Sequence, residues 1–162
     1  MRGFTLIELL VTIAVLALLA AIAVPSYNAF VINARTAALA NDFSAAVALA
    51  RSSAMQRSEV IRLEPQVAGG DWVDGWQVVR PSQTPVEVIK VWTPAPIGGR
   101  VVDQPNGPEP IVFGPLGDRR SIDSVSIVRV GVEGCRGDRA RELRIRGSGH
   151  VEINPFDCAS LP

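Results

Sequence analysis

The sequence predicts an α+β protein: a long amino-terminal α-helix, transmembrane first and amphipathic afterwards, packed against an antiparallel β-sheet head. Three observations carry that prediction. From Phe4 to Val24 nearly every side chain is apolar, and Glu8 is the only ionisable one. Beyond this run, an Ala-rich stretch to about Arg57 repeats its apolar residues at three- and four-residue steps. After Glu59 the chain turns to short β-branched segments separated by Gly- and Pro-rich breaks.

The apolar run is long enough to cross the ~30 Å hydrocarbon core of a bilayer as a helix. A carboxylate within such a span costs roughly 2.5–3.5 kcal/mol at the helix centre, so Glu8 calls for a specific partner. Arg2 is the only charge on the amino side of the run, and the next basic residue is Arg35. The positive-inside rule then keeps the amino end cytoplasmic and sends the rest outward. Pro25 cannot donate an N–H, so a kink or a local loosening of the helix is expected there. Past it, Tyr27, Val31, Ala34, Ala38, Phe43, Ala46, Val47, Ala50 and Ala54 form the expected packing stripe, with Asn28, Arg35, Asn41, Asp42 and Arg51 mostly elsewhere. A continuous helix from Phe4 to Arg57 would be roughly 80 Å long, a stalk with a head against its second half. Its many Ala residues suit close helix–helix approach.

The expected strands are 60–63, 76–79, 86–92, 111–113, 125–130 and 143–146. Gly69-Gly70, Pro94-Ala95-Pro96 and Pro105-Asn106-Gly107-Pro108 break them, and the stretch from Gly98 to Pro110 reads as a mobile surface loop with little to bury.

Gly3-Phe4-Thr5-Leu6-Ile7-Glu8 resembles the processing site of type IV pilin-like proteins. The resemblance implies that prepilin peptidase cuts between Gly3 and Phe4, that the Phe4 amine is N-methylated, and that Glu8 serves assembly. A positive terminal amine and a carboxylate on neighbouring subunits can neutralise each other in low dielectric, where either alone is costly. The leader here is only Met1-Arg2-Gly3, shorter than many in the class. A second resemblance is narrower. Ala50-Arg51-Ser52-Ser53-Ala54-Met55-Gln56-Arg57, Asp71-Trp72-Val73-Asp74-Gly75-Trp76-Gln77-Val78 and Arg144-Ile145-Arg146-Gly147-Ser148-Gly149 are similar to segments of the pseudopilin H and FimT/FimU minor-pilin family. Trp72 and Trp76 are nevertheless expected to act as core packing.

Together the resemblances imply a leader at 1–3, a stalk helix over 4–57 with about 4–26 in the inner membrane, and a periplasmic β-rich head over 58–162. They imply a structural subunit at or near the tip of a type IV pilus or type II secretion pseudopilus. Its partners would be other major and minor pilins or pseudopilins, prepilin peptidase and an inner-membrane assembly platform. A cleaved secretory signal ending near Ala20-Ala21-Ile22-Ala23 is the competing account; Glu8 inside the apolar run and the thin basic region count against it.

Cys135 and Cys158 both lie in the part expected outside, where a disulfide is the default and would contribute roughly 3 kcal/mol in the chain-entropy picture. No Cys-x-x-Cys spacing or His cluster supports a metal or redox pair instead. His150 is the only histidine, and Asp71 and Asp74 lack the ligand pattern of a calcium loop. No catalytic residue, metal site or cofactor is expected.

Sixteen basic residues balance sixteen acidic ones, so net charge draws the chain toward no polyanion. Locally, Arg129, Arg136, Arg139, Arg141, Arg144 and Arg146 outnumber Glu133, Asp138 and Glu142. Some FimT-like relatives bind DNA through a closing Gly-Arg-x-Arg turn. This chain has Gly149-His150-Val151-Glu152 there, with neither arginine and with an acid that repels phosphate. Arg144 and Arg146 remain the candidates for nucleic-acid contact, and a solvated mixed-charge face is the favoured expectation.

Overall fold

The computed structural model describes residues 4–93, 95–96, 98–104, 109–120 and 125–161. Helix α1 (Leu6–Arg57) is unbroken from end to end, capped by Thr5 and ended by Ser58, which turns left-handed and donates its N–H to the Ala54 carbonyl. Pro25 sits inside the helix: its missing N–H weakens the ladder locally without ending the element.

Only the second half of α1 is covered. Thr36, Leu39, Ala40, Phe43, Ala46, Val47, Ala50, Ser53 and Ala54 are buried, a stripe with a seven-residue phase. Tyr27, Ala34 and Ala38, expected in that stripe, are exposed, and Val31 is half-buried. The reason is Phe43. Its ring packs edge-on against Trp72 and Trp76, with centroids 5.2 and 5.3 Å away, and positions in phase with that anchor turn inward. Alanines are too small to set the phase themselves. Thr36 enters the stripe because its hydroxyl donates to the Ile32 carbonyl at 3.0 Å, leaving its methyl to pack.

Among the described residues the head has eight strands: β1 (Ile61–Pro65), β2 (Trp76–Arg80), β3 (Glu87–Trp92), β4 (Gly99–Gln104), β5 (Ile111–Phe113), β6 (Val125–Val132), β7 (Ala140–Arg146) and β8 (Val151–Phe156). They build two antiparallel sheets, ordered β3-β2-β1-β5 and β4-β6-β7-β8, where the sequence suggests one. The six expected strands are all present, β5 with the expected ends and the others with ends shifted by one to three residues.

β4 overturns the expected loop over 98–110. Gly99–Gln104 pairs with β6 along its whole length, from Gly99↔Val132 to Gln104↔Ile127, and Val101 is buried. Val101-Val102 between polar neighbours is too short an apolar pattern to read alone, and pairing with the longer β6 is what makes it a strand. Residues 105–108 of that expected loop lie outside the described ones.

Helix α1 packs against both sheets. Its stripe meets Ile61, Leu63, Val78 and Phe113 from one sheet and Val128, Val130, Leu143 and Ile145 from the other. A short 3-10 turn (Trp72–Asp74) brings the Trp72 ring to Phe43 and touches β4.

Candidate functional site

The first turn of α1 carries the residues expected to act in assembly. Thr5 is the N-cap: its Oγ1 accepts from the Glu8 N–H at 3.3 Å, and the Glu8 carboxylate accepts from the Thr5 N–H at 3.3 Å. This reciprocal capping box also places a negative charge where the helix dipole favours it. The Thr-x-x-Glu spacing was visible in the sequence, yet reading Glu8 only as an assembly acid missed Thr5 as its neighbour. Gly3 lies outside the described residues, while Phe4 precedes the cap directly and is 76% exposed. Helix α1 is long and apolar enough to cross a membrane, and none of its most apolar window is buried within the chain.

Beyond the amino end, the resemblance motifs resolve into packing. Ala50 is fully buried, and Arg51 donates its Nε–H to the Gly117 carbonyl at 3.3 Å. Gly117 and Gly149 both have positive φ, and a Cβ on either would collide with Met55 or Arg51. The end of the stalk thereby locks the turns at 114–117 and 146–149 onto the helix. Trp72 and Trp76 are 1% exposed and serve the core. Cys135 and Cys158 form a disulfide, with Cα atoms 5.8 Å apart, that ties the β6–β7 loop to the turn after β8.

Three of the six arginines near the closing strands are held by neighbouring acids. Arg129 and Arg144 flank Glu142 at 3.0 and 2.7 Å, and Arg146 holds Glu152 through hydrogen bonds of 2.8 and 3.0 Å. Burial pushes the Glu142 carboxyl up, but the hydrogen bonds from Arg144 and Arg129 outweigh it and leave it below the ordinary carboxylate range. The Arg146 hydrogen bond likewise lowers Glu152. Arg129 also lies over the Phe156 ring at 4.3 Å, and Arg141 donates to the carbonyls of Asp138, Arg139 and Ala140. A phosphate reaching Arg144 or Arg146 would compete with a carboxylate already in place.

A second charged group joins the helix end to the β2–β3 hairpin. Arg57 lies 3.6 Å from Glu87, and Arg80 binds both Glu87 and Glu59, with the Ser82 hydroxyl donating to Glu59 at 2.8 Å. The hydrogen bonds from Arg80 and Ser82 hold the Glu59 carboxyl at about 2, against an ordinary 4.5. A depressed carboxylate contributes stability above its unfolded pKa and loses it as pH falls through the folded one. The stability gap between wild type and Arg80→Gln is therefore expected to narrow as pH drops from 4.5 toward 2. Urea unfolding of both proteins across that window checks it; a gap indifferent to pH would remove Glu59 as its source.

Residues 1–24 match the prokaryotic N-terminal methylation motif, and residues 39–149 match the family described as type II transport protein GspH. Two curated relatives, each a fimbrial protein of Pseudomonas aeruginosa, are 33% identical over 60 residues, or 37% of this chain. That stretch spans only 39% of the relatives' own length. Two crystal structures of the type IV minor pilin FimU of Pseudomonas aeruginosa share the fold. One has a TM-score of 0.61 at 17% identity, covering 76% of this chain and 88% of FimU. The other has a TM-score of 0.58 at 19% identity, covering 72% and 90%. With an amino-terminal methylation motif on an uncovered apolar helix, and a family match across stalk and head, the chain belongs to the GspH family of type IV pilin-like proteins.

Proposed function

We propose that this chain is a minor pilin or pseudopilin, held in the inner membrane until it is extracted into a filament. In this reading Met1-Arg2-Gly3 is a leader, prepilin peptidase cuts between Gly3 and Phe4, and the Phe4 amine is methylated. About 4–26 cross the membrane with the amino end cytoplasmic, and 58–162 form a periplasmic head. One observation carries the reading: from Phe4 to Phe30 every large apolar side chain is exposed. Such a surface is stable only in lipid or against other helices of its kind. Membership in the family implies a structural, non-enzymatic subunit that assembles with other pilins after peptidase processing.

In the filament, the Glu8 carboxylate of one subunit neutralises the methylated amine of a neighbour and so sets the axial register. DNA uptake is the weaker reading, because Arg144 and Arg146 already hold Glu142 and Glu152. Mass spectrometry of the mature amino terminus tests the proposal: methylated Phe4 supports it, and a start near Val24 overturns it. Deletion in the native host then assigns the machine. Lost pili with intact secretion would indicate a pilus subunit, and lost secretion with intact pili a pseudopilin.

A further inference from the structure

We propose that the base of the head binds a phospholipid headgroup while the protein resides in the membrane, an inference that rests on the membrane-spanning reading above. A cleft of 260 Å³ opens between α1 and the β6–β7 loop, lined by Pro25, Asn28, Ile32, Asn33, Arg136 and Arg139 among others. Asn28 and Ile32 lie about 3 and about 9 Å along the helix beyond position 26, where the proposed span ends, and so at the depth of the headgroups. Tyr27 and Phe30 are exposed on the same turns, as interfacial aromatic side chains are.

The charges at this level are specific. Arg136 and Arg139 are exposed and make no salt bridge among the described residues, unlike Arg129, Arg144 and Arg146 on the strands beside them. Three acids belong to the same loop or to the turn that the disulfide ties to it. Asp138 lies between the two arginines, Glu133 packs toward Gly98, and the Asp157 carboxylate caps the final 3-10 turn (Cys158–Ser160). Asn33 lines the same cleft, and its Oδ1 atom is buried with no hydrogen-bond partner among the described residues. Two guanidinium groups call for a phosphate, and a buried carbonyl oxygen calls for a donor. A phosphatidylglycerol headgroup supplies both, through its phosphate and its glycerol hydroxyls. Bound there, it holds the head against the bilayer until extraction pulls the stalk free.

Hydrogen–deuterium exchange of the full chain tests this in nanodiscs of phosphatidylcholine, with and without phosphatidylglycerol. The expected result is slower exchange at 133–139 with phosphatidylglycerol, by about fivefold or more, and no such slowing in Arg136→Gln/Arg139→Gln. Both side chains are exposed, so the double substitution spares the core. Equal exchange in the two bilayers, or slowing that survives the substitution, overturns the site. Exchange across 6–24 reports the span separately. An unprotected span in both bilayers defeats the membrane-spanning reading, whereas a protected span with a lipid-indifferent loop defeats only the headgroup site.

Discussion

Glu8→Leu is expected to leave the proposed cleavage and methylation at Phe4 intact but to cut incorporation into filaments by more than about a hundredfold. The size follows from stranding a buried amine: removing one partner of a buried ion pair costs about 3–5 kcal/mol. The substitution also removes the capping box that Glu8 makes with Thr5, so a second variant must separate the two effects. Glu8→Gln does so, because a glutamine at that position still reaches the Thr5 N–H while carrying no charge. If the charge acts between subunits, Glu8→Gln fails as Glu8→Leu does. Normal incorporation of Glu8→Gln, read as sheared filament protein against total protein on immunoblots, would reduce Glu8 to a helix cap.

Phe43→Ala is expected to let the head unfold far more readily. Phe43 is fully buried, sets the phase of the α1 stripe and touches both Trp72 and Trp76. Truncating such a ring costs about 3–5 kcal/mol. Phe30→Ala is the matched control, since Phe30 is 68% exposed. Its effect on the head is expected to stay within about 0.5 kcal/mol. Tryptophan fluorescence during urea unfolding of the full chain in detergent reports both. A loss below about 1 kcal/mol for Phe43→Ala would mean the helix is not the head's central packing element.

Much of this architecture was legible in the chain. The apolar run and the Ala-rich helix announced one long α1, and six of the strands showed as β-branched segments. β8 was not expected, and two further features resisted reading for different reasons. β4 has two valines as its apolar content between polar residues, so its strand character comes from β6 rather than from its own pattern. The packing stripe was blurred because alanine is common on every side of α1, and exposed Ala34 and Ala38 look no different from buried Ala46 and Ala50.

The candidate sites divide along the same line. Gly3, Phe4 and Glu8 are proposed from local order and spacing, in a stretch that matches the methylation motif over 1–24, and the Thr5–Glu8 capping box is equally local. The state of the arginines was not. Arg144 and Arg146 carry their charge in any fold, but the antiparallel register sets Glu152 opposite Arg144 and Arg129 opposite Glu142. With those acids on the same sheet, Arg146 also closes on Glu152.

Periodicity, hydropathy and motif spacing are properties of neighbouring residues, and they suffice to predict an apolar helix with one acid at its start, a β-rich remainder and a cysteine pair. Which face of the helix is buried, how many sheets form the head, and which of its arginines hold carboxylates are set by the three-dimensional fold. Those depend on contacts between residues far apart in the chain. A single large ring, Phe43, and the strand registers set them.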